Sequence, residues 1–479
     1  MSYGICQAGL TGFKLEMTQA LPNRTSRRTE MKIEMHCRSK RGLSFYLILL
    51  LFSFILLQTA ISPSLSATDL MEAYTRAKEH DPVYGSVVYE NKALQTKSKQ
   101  GLSYLLPQIQ TSGTISRYDF DTAPDIYKDY TANTYNINLR QPLINFFRFA
   151  EYRQHNILPS LGEMKLAEAL QNLGIRVAEA YFNLLAAKDT LELVVEEKEA
   201  VSKQLEQAKK LFRAGAVTIT EVHDAEARYH LVLFHEVEAQ NNLAVKTTAF
   251  QKIVGPDPVA PSRLKDTLPL IPPEPGVLTR WIEMAKERNP TLKYFSYNIH
   301  FSEEEVKKVR AQHYPFVDLS AGYTRSNTRD YIQTNTISYS SIGLSVTLPI
   351  FSGGYVTAKT EESKARLGQA KKEYENAFSD IVQRLTEAFL GIQSSIVSIN
   401  TLEIAVKSTE ISLHSNQKGL LAGIRTTVDV LNAQRELYNA RVKLLQTKYG
   451  YILHLIKLKA AAGILSEVDM AMVNDWFQK

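Results

Sequence analysis

The chain has 479 residues, enough for two or three ordinary globular units, yet only 22 glycines and 2 tryptophans sit among long runs of Ala, Leu, Glu, Lys and Gln that favour extended helices. Its formal net charge of +6 belongs mainly to the first 67 residues, where eight Lys/Arg and three acids leave +1 for the remainder, so the basic balance is no argument for nucleic-acid binding. Both cysteines, Cys6 and Cys37, fall in that same stretch, which excludes a disulfide, a thiolate metal site or a catalytic cysteine from residue 68 onward.

In chain order, Lys40 and Arg41 precede an apolar stretch from Leu43 to Leu57, followed by Pro63 and the small residues Ser64, Ser66 and Ala67. Residues 1–67 are therefore expected to be a cleaved secretion leader, with Met31 or Met35 as alternative starts and cleavage after Ala67. The stretch is shorter than the ~20 residues of a spanning helix. No cysteine follows it to accept a lipid, and no uninterrupted apolar run of membrane-helix length follows either. If the remaining chain crosses a bilayer, it must do so as a closed barrel, because hydrocarbon offers no partner to unpaired backbone groups.

Leu70 to Ser103 carries a helical pattern, with Asp69 as N-cap and a break at Asp81-Pro82. Gln108 to Asp121 and Asp129 to Ile144 then alternate as strands, with Tyr135, Ile137 and Leu139 on one face against Asn136, Asn138 and Arg140 on the other. A membrane barrel writes this code, and so does an ordinary half-buried sheet. Leu166, Leu173, Ala180, Ala187 and Val194 recur every seven residues, with Leu170, Val177, Leu184 and Leu191 as a second seam, which predicts coiled-coil packing. Pro159 is expected to kink or restart this helix, and Gly215 to end it in a left-handed C-cap. Glu196 and Glu197 read as helix surface. His223, His230 and His235 are spaced unsuitably for one chelating face, so neither a metal nor any other cofactor is expected.

After a proline-rich linker, 255–277, the plan repeats at an offset of 208 residues. Ala77-Lys78-Glu79-His80-Asp81-Pro82 matches Ala285-Lys286-Glu287-Arg288-Asn289-Pro290, and Pro107, Glu179-Ala180 and Gly215 match Pro315, Glu387-Ala388 and Gly423. The strand-ending Pro142 and Pro349 match with a slip of one residue. Ile342, Leu344, Val346 and Leu348 alternate with Ser341, Gly343, Ser345 and Thr347. The heptad phase is kept in Tyr374, Ile381, Ala388, Ser395 and Leu402 and in Phe378, Leu385, Ile392 and Ile399. A single helix from Tyr355 to Leu420 would run roughly 100 Å at ~1.5 Å per residue and needs partner helices along all of it. The expected organisation is thus a first repeat over 68–254, a second over 278–463 and a tail over 464–479.

The paired turns, Leu211-Phe212-Arg213-Ala214-Gly215 leading to Thr218-Ile219-Thr220-Glu221-Val222 and Gly419-Leu420-Leu421-Ala422-Gly423 leading to Arg425-Thr426-Thr427-Val428-Asp429-Val430-Leu431, resemble those of the TolC family of outer-membrane factors. Leu348-Pro349-Ile350-Phe351-Ser352-Gly353-Gly354 is similar to that family's strand-to-helix junction. The resemblance covers nearly all of the chain after the leader. It implies an α+β fold in which a homotrimer gives four strands per subunit to a twelve-stranded outer-membrane β-barrel, set in outer-membrane lipid and continuous with a periplasmic α-helical coiled-coil barrel. It further implies a passive duct for type I protein secretion or drug or metal efflux, working with a periplasmic adaptor and an inner-membrane ABC- or RND-type pump. Four strands cannot enclose a lumen alone, which independently requires further copies.

By resemblance, Gly215, Gly423, Phe212 and Arg213 mark the helix tips where the adaptor docks, and Glu221, Leu420, Arg425, Asp429 and Asn432 mark the periplasmic entrance gate. Arg425 is placed to pair with Glu221 on the neighbouring hairpin, one way of holding the tips together; Asn432 replaces an aspartate of the family's gate and Leu420 a tyrosine, which implies a weaker inner acidic ring and a latch built differently. On the residues alone, these charges read as solvated coil surface. Nucleophile elbow, phosphate loop, HExxH and paired-carboxylate patterns are absent from the sequence, and no enzymatic activity is expected. The alternatives weighed are a structural coiled-coil surface protein or adhesin, which leaves the paired alternating strands unexplained, and a periplasmic adaptor, for whose β-domain the linker is too short.

Overall fold

The computed structural model of the chain describes residues 69–119, 130–256, 261–265, 267–329 and 334–477. The expected leader, the hairpin ends at Asp121 and Asp129, and linker residues 257–260 and 266 lie outside these. In chain order the elements are α1 (Leu70–His80), α2 (Pro82–Gln95), α3 (Lys97–Ser103), β1 (Gln108–Tyr118), β2 (Tyr130–Ile144), α4 (Phe146–Arg213), α5 (Ile219–Val254), α6 (Leu278–Arg288), α7 (Pro290–Arg310), β3 (Phe316–Arg329), β4 (Thr334–Thr347), α8 (Tyr355–Leu421), α9 (Thr427–Ala461) and α10 (Glu467–Asn474).

The duplication is visible in the capping chemistry. Asp81 accepts a hydrogen bond from the Tyr84 N–H at 2.8 Å and starts α2 with Pro82 in its first turn, where a missing N–H costs nothing. Asn289 does the same for α7, accepting from the Leu292 N–H at 3.2 Å ahead of Pro290. The asparagine also donates from Nδ2 to the Ala461 carbonyl at 2.8 Å, so it joins α7 to the end of α9.

Strands from both repeats form one antiparallel sheet in the order β1-β2-β3-β4. Ile109, Leu139, Ala321 and Ile342 stand in one row across it, and Gln108, Arg140, Ser320 and Gly343 in the next. Because paired residues share a face, the half of the sheet nearer the helices has one apolar face and one polar face, the arrangement of a barrel wall. On the polar face Arg140 is ion-paired with Asp318 across β2 and β3. The outer edges, β1 and β4, have no partner strand within the sheet.

The helices form a second layer. α5 packs on α4, α4 on α9 and α9 on α8, so α5 and α8 stand at opposite edges. The predicted seams are inside: Leu173, Val177, Leu184, Ala187 and Val194 are buried on α4, and Ile381, Leu385, Ala388, Ile392, Ser395 and Ile399 on α8. A further heptad track was not anticipated. Leu390, Val397, Ile404 and Ile411 on α8 recur every seven residues and remain 54–69% exposed. α8 also holds an 18-residue stretch long and apolar enough to cross a membrane, of which only 22% is buried. The open heptad track accounts for that apolarity without a bilayer.

Of the kink or restart expected at Pro159, the restart does not occur; α4 continues through it. α2 packs along the same stretch: Gln95 Nε2 reaches Glu163 at 3.1 Å, Lys165 reaches Glu90 at 2.6 Å, and Gly162 sits against Leu94. These contacts offset an interior proline's penalty of ~3 kcal/mol.

A belt closes around the middle of the rods. Linker and tail join through the Leu264–Phe477 bridge and the Lys265 N–H to Trp476 carbonyl bond of 2.9 Å. Buried tyrosines hold the linker: Tyr181 Oη accepts from the Ser262 N–H, and Tyr451 Oη from the Ile271 N–H. Tyr181, Phe182, Phe250 and Phe477 fill the core beneath.

Candidate entrance at the helix tips

The two long hairpins turn with the same backbone. At the first tip the Gly215 N–H bonds the Phe212 carbonyl at 2.9 Å and the Ala216 N–H the Leu211 carbonyl at 2.9 Å, with Gly215 at φ 73°. At the second, the Gly423 N–H bonds the Leu420 carbonyl at 3.1 Å and the Ile424 N–H the Gly419 carbonyl at 2.9 Å, with Gly423 at φ 72°. A left-handed residue closes each helix by satisfying carbonyls of its last turn, and glycine takes that conformation without strain. Phe212, Arg213, Leu421 and Ile424 are exposed around these turns.

The returning helices begin differently. Thr426 caps α9 in a reciprocal box: the Asp429 N–H donates to Thr426 Oγ1 at 3.2 Å, while Asp429 Oδ2 accepts from the Thr426 N–H at 2.9 Å. The bonds from the Thr426 N–H and hydroxyl hold the Asp429 carboxyl below the usual carboxylate range, and the charge of Arg425 adds to this. Thr218 occupies the matching position before α5, but makes no side-chain cap. Glu221, 208 residues before Asp429, does not turn back to it. Its Oε2 accepts from the Thr427 N–H on the other hairpin at 3.3 Å.

The expected Arg425–Glu221 pair is therefore not formed among the described residues. Glu221 serves the first N–H of α9, an orphan donor at the positive end of a helix dipole. Arg425 lies across its own tip instead, its Cγ 2.6 Å from where a Cβ on Gly419 would stand. Leu420 is half-buried in the last turn of α8, and Asn432 is exposed on α9. Sequence reading missed Thr427, which is 1% exposed and whose Oγ1 has no hydrogen-bond partner among the described residues. It also misplaced Glu197. That carboxylate is buried between α4 and α5 and accepts from Arg228 Nη2 at 2.6 Å; burial holds its pKa above the usual range against the pull of Arg228. Its i+31 partner on the returning helix carries no local signal. His223 and His235 lie beside Glu226 and Glu238 on their own helix, and among the described residues no three His, Cys, Asp or Glu are placed to hold a metal ion.

The family model described as "Outer membrane efflux protein" matches residues 74–256 and again 281–464. The chain belongs to that family. Among its relatives, the outer membrane protein TolC of Vibrio cholerae is 31% identical over 86% of this chain and 95% of its own length. TolC of Escherichia coli is 29% identical over 86% of each. The alkaline protease secretion protein AprF of Pseudomonas aeruginosa is 26% identical over 85% of this chain and 87% of its own. In fold, the chain resembles the solved structures of CusC (TM-score 0.74, 17% identity, 83% of this chain and 93% of that one) and VceC of Vibrio cholerae (0.71, 20%, 82% and 96%).

As a TolC-type outer membrane efflux protein, the chain is an outer-membrane channel with a periplasmic extension. The four-stranded sheet is its share of the membrane wall. The rods lead away from it into the periplasm, which makes the two tips the end farthest from the membrane.

Proposed function

We propose that three copies close into one duct, a twelve-stranded barrel continuous with a helical barrel, through which an inner-membrane ABC- or RND-type pump and a periplasmic adaptor send protein, drug or metal cargo outward. The observation that carries this is the pair of open edges. Leu390, Val397, Ile404 and Ile411 on α8, and Leu231, Phe234, Val237 and Val245 on α5, are large apolar side chains more than half exposed at opposite sides of one layer. Covering each is worth roughly 1–2 kcal/mol. The two edges differ, so the contact is head-to-tail and must close as a ring or run on as a filament. β1 and β4 require the same closure, since unpaired backbone cannot face lipid. The curated names of relatives such as AprF favour protein among the cargoes.

In this reading the tips form the entrance. Three Asp429 carboxylates around a narrow pore favour cations, Glu221 and Thr427 hold neighbouring hairpins together, and Leu420 and Asn432 line the same constriction. The exposed tip residues Phe212, Arg213, Gly215 and Gly423 offer the adaptor its docking surface. The test is cysteine cross-linking of Leu231→Cys with Val397→Cys in outer membranes, together with planar-bilayer conductance. Trimer-sized products and discrete channels are expected; an unlinked monomer without conductance overturns the proposal.

A further inference from the structure

The sheet reverses its polarity at the end away from the helices. Over most of its length Ile109, Ile137, Leu139, Leu319, Ile342, Leu344 and Val346 share the outward face with one another by register. Toward the hairpin ends, Arg117, Asn133, Arg325, Asn327 and Ser338 join Ile115 and Tyr135 on that same face. The opposite, lumenal face changes in the other sense. It is Gln110, Asn138, Gly322 and Ser341 in one row, but Tyr339 joins the row of Ser112, Asn136 and Thr324, and Ile337 joins that of Thr114, Thr134 and Ser326. Farther out Tyr118 pairs with Tyr130 on this face, their rings stacked at 5.0 Å. The β3–β4 ladder runs from Phe316 to Arg329 without a register shift, so no bulge returns Ile337 or Tyr339 to the outside. Tyr118, Ile337 and Tyr339 are 45–53% exposed in the single chain.

Arginine and asparagine on the outward face mean that this part of the wall stands in water, above the hydrocarbon, where lipid no longer demands an apolar exterior. Tyr135 and Tyr323 stay on the outward face, whereas Tyr118, Tyr130, Ile337 and Tyr339 stand on the lumenal one. Building on the trimeric duct, we propose that Tyr118, Tyr130, Ile337 and Tyr339 of the three copies form an aromatic collar inside the outer mouth, which narrows the exit and restricts passage by size. Closure places β4 of one copy, with Tyr339 and Ile337, beside β1 of the next, with Tyr118, so the collar is incomplete in a single chain. Lumen substitutions tune selectivity, whereas lipid-face substitutions act on stability.

The test uses the intact trimer in planar bilayers, with cysteines introduced into a chain that has none after residue 67. Tyr339→Cys is expected to react with a charged, water-soluble methanethiosulfonate added from the outer side, and each reaction to lower single-channel conductance in a discrete step, up to three per channel. Ile342→Cys, on the lipid face, should resist that reagent and leave conductance unchanged. Tyr339→Ser with Ile337→Ser should raise conductance and admit larger neutral polymers. Unchanged conductance after complete Tyr339→Cys modification, with unchanged polymer exclusion in the serine variant, overturns the collar while leaving the duct standing. Absence of any channel from the unmodified protein overturns both.

Discussion

Glu221 Oε2 accepts a hydrogen bond from the Thr427 N–H at 3.3 Å, so the first tip caps the helix of the second. Its repeat equivalent Asp429, shorter by one methylene, turns back to its own Thr426. Identical positions in a duplicated plan thus perform different tasks, one joining hairpins and the other closing a helix end.

Glu221→Ala removes the link between hairpins and leaves the Thr427 N–H without it. A net loss of about 1 kcal/mol per copy is expected, enough across three copies to favour the open entrance. Larger single-channel conductance in planar bilayers would show it. Glu221→Asp should behave like the alanine variant, because the shorter side chain falls short of Thr427; wild-type conductance in both would remove the bond from the entrance.

Asp429→Asn should lower cation selectivity, read as a shift in reversal potential under a salt gradient. The pH dependence follows from the depressed carboxyl. A group whose folded pKa lies below its unfolded value near ~3.9 contributes stability that is present above that unfolded value and is lost as pH falls through the folded one. Protection of the Thr426 amide, measured against its intrinsic exchange rate at each pH, should therefore be full at pH 5 and be lost only in stronger acid. In Asp429→Asn, which does not titrate, that protection should be weaker and independent of pH over the same range.

Gly419→Ala and Gly423→Ala separate packing from backbone conformation. A Cβ at Gly423 meets nothing within 4 Å, so its cost is the left-handed backbone alone, about 1 kcal/mol at each tip. A Cβ at Gly419 would stand 2.6 Å from Arg425 Cγ and 3.2 Å from its Cβ, so the root of that side chain, and the turn that carries it, must shift. Gly423→Ala should lower thermal stability with little change in ion selectivity. Gly419→Ala should lower thermal stability and also shift the reversal potential under a salt gradient, because the Arg425 side chain moves with the turn.

Val397→Asp or Ile404→Asp places a charge on the open track of α8, residues 66% and 69% exposed in the single chain. The monomer fold should tolerate either. Assembly should not, and the heat-sensitive trimer band in detergent gels should disappear, most completely in the double variant.

Asn474 ties the tail to the start of α1, accepting from the Leu70 N–H at 2.9 Å and donating to Asp69 at 2.8 Å. Asn474→Ala should lower the melting temperature through a loss of about 1–2 kcal/mol, with conductance of the folded channel unchanged.

Periodicity and punctuation made the architecture legible. The seven-residue seams of α4 and α8, the alternation of β2 and β4, the Asp81-Pro82 and Asn289-Pro290 starts and the glycines at 215 and 423 are local signals, each set by backbone geometry within a few residues. Together with the 208-residue offset they determined the fold class. Tertiary structure decided how side chains meet across elements. Pro159 stays within a continuous helix because α2 packs along it, Glu197 is buried because Arg228 faces it from α5, and Glu221 reaches Thr427 because two hairpins lie side by side. The same holds for the polarity reversal at the outer mouth, where Tyr339 faces inward only because the β3–β4 ladder keeps its register. Local sequence carries periodicity; the partner of a polar side chain hundreds of residues away is fixed only when packing brings the two together.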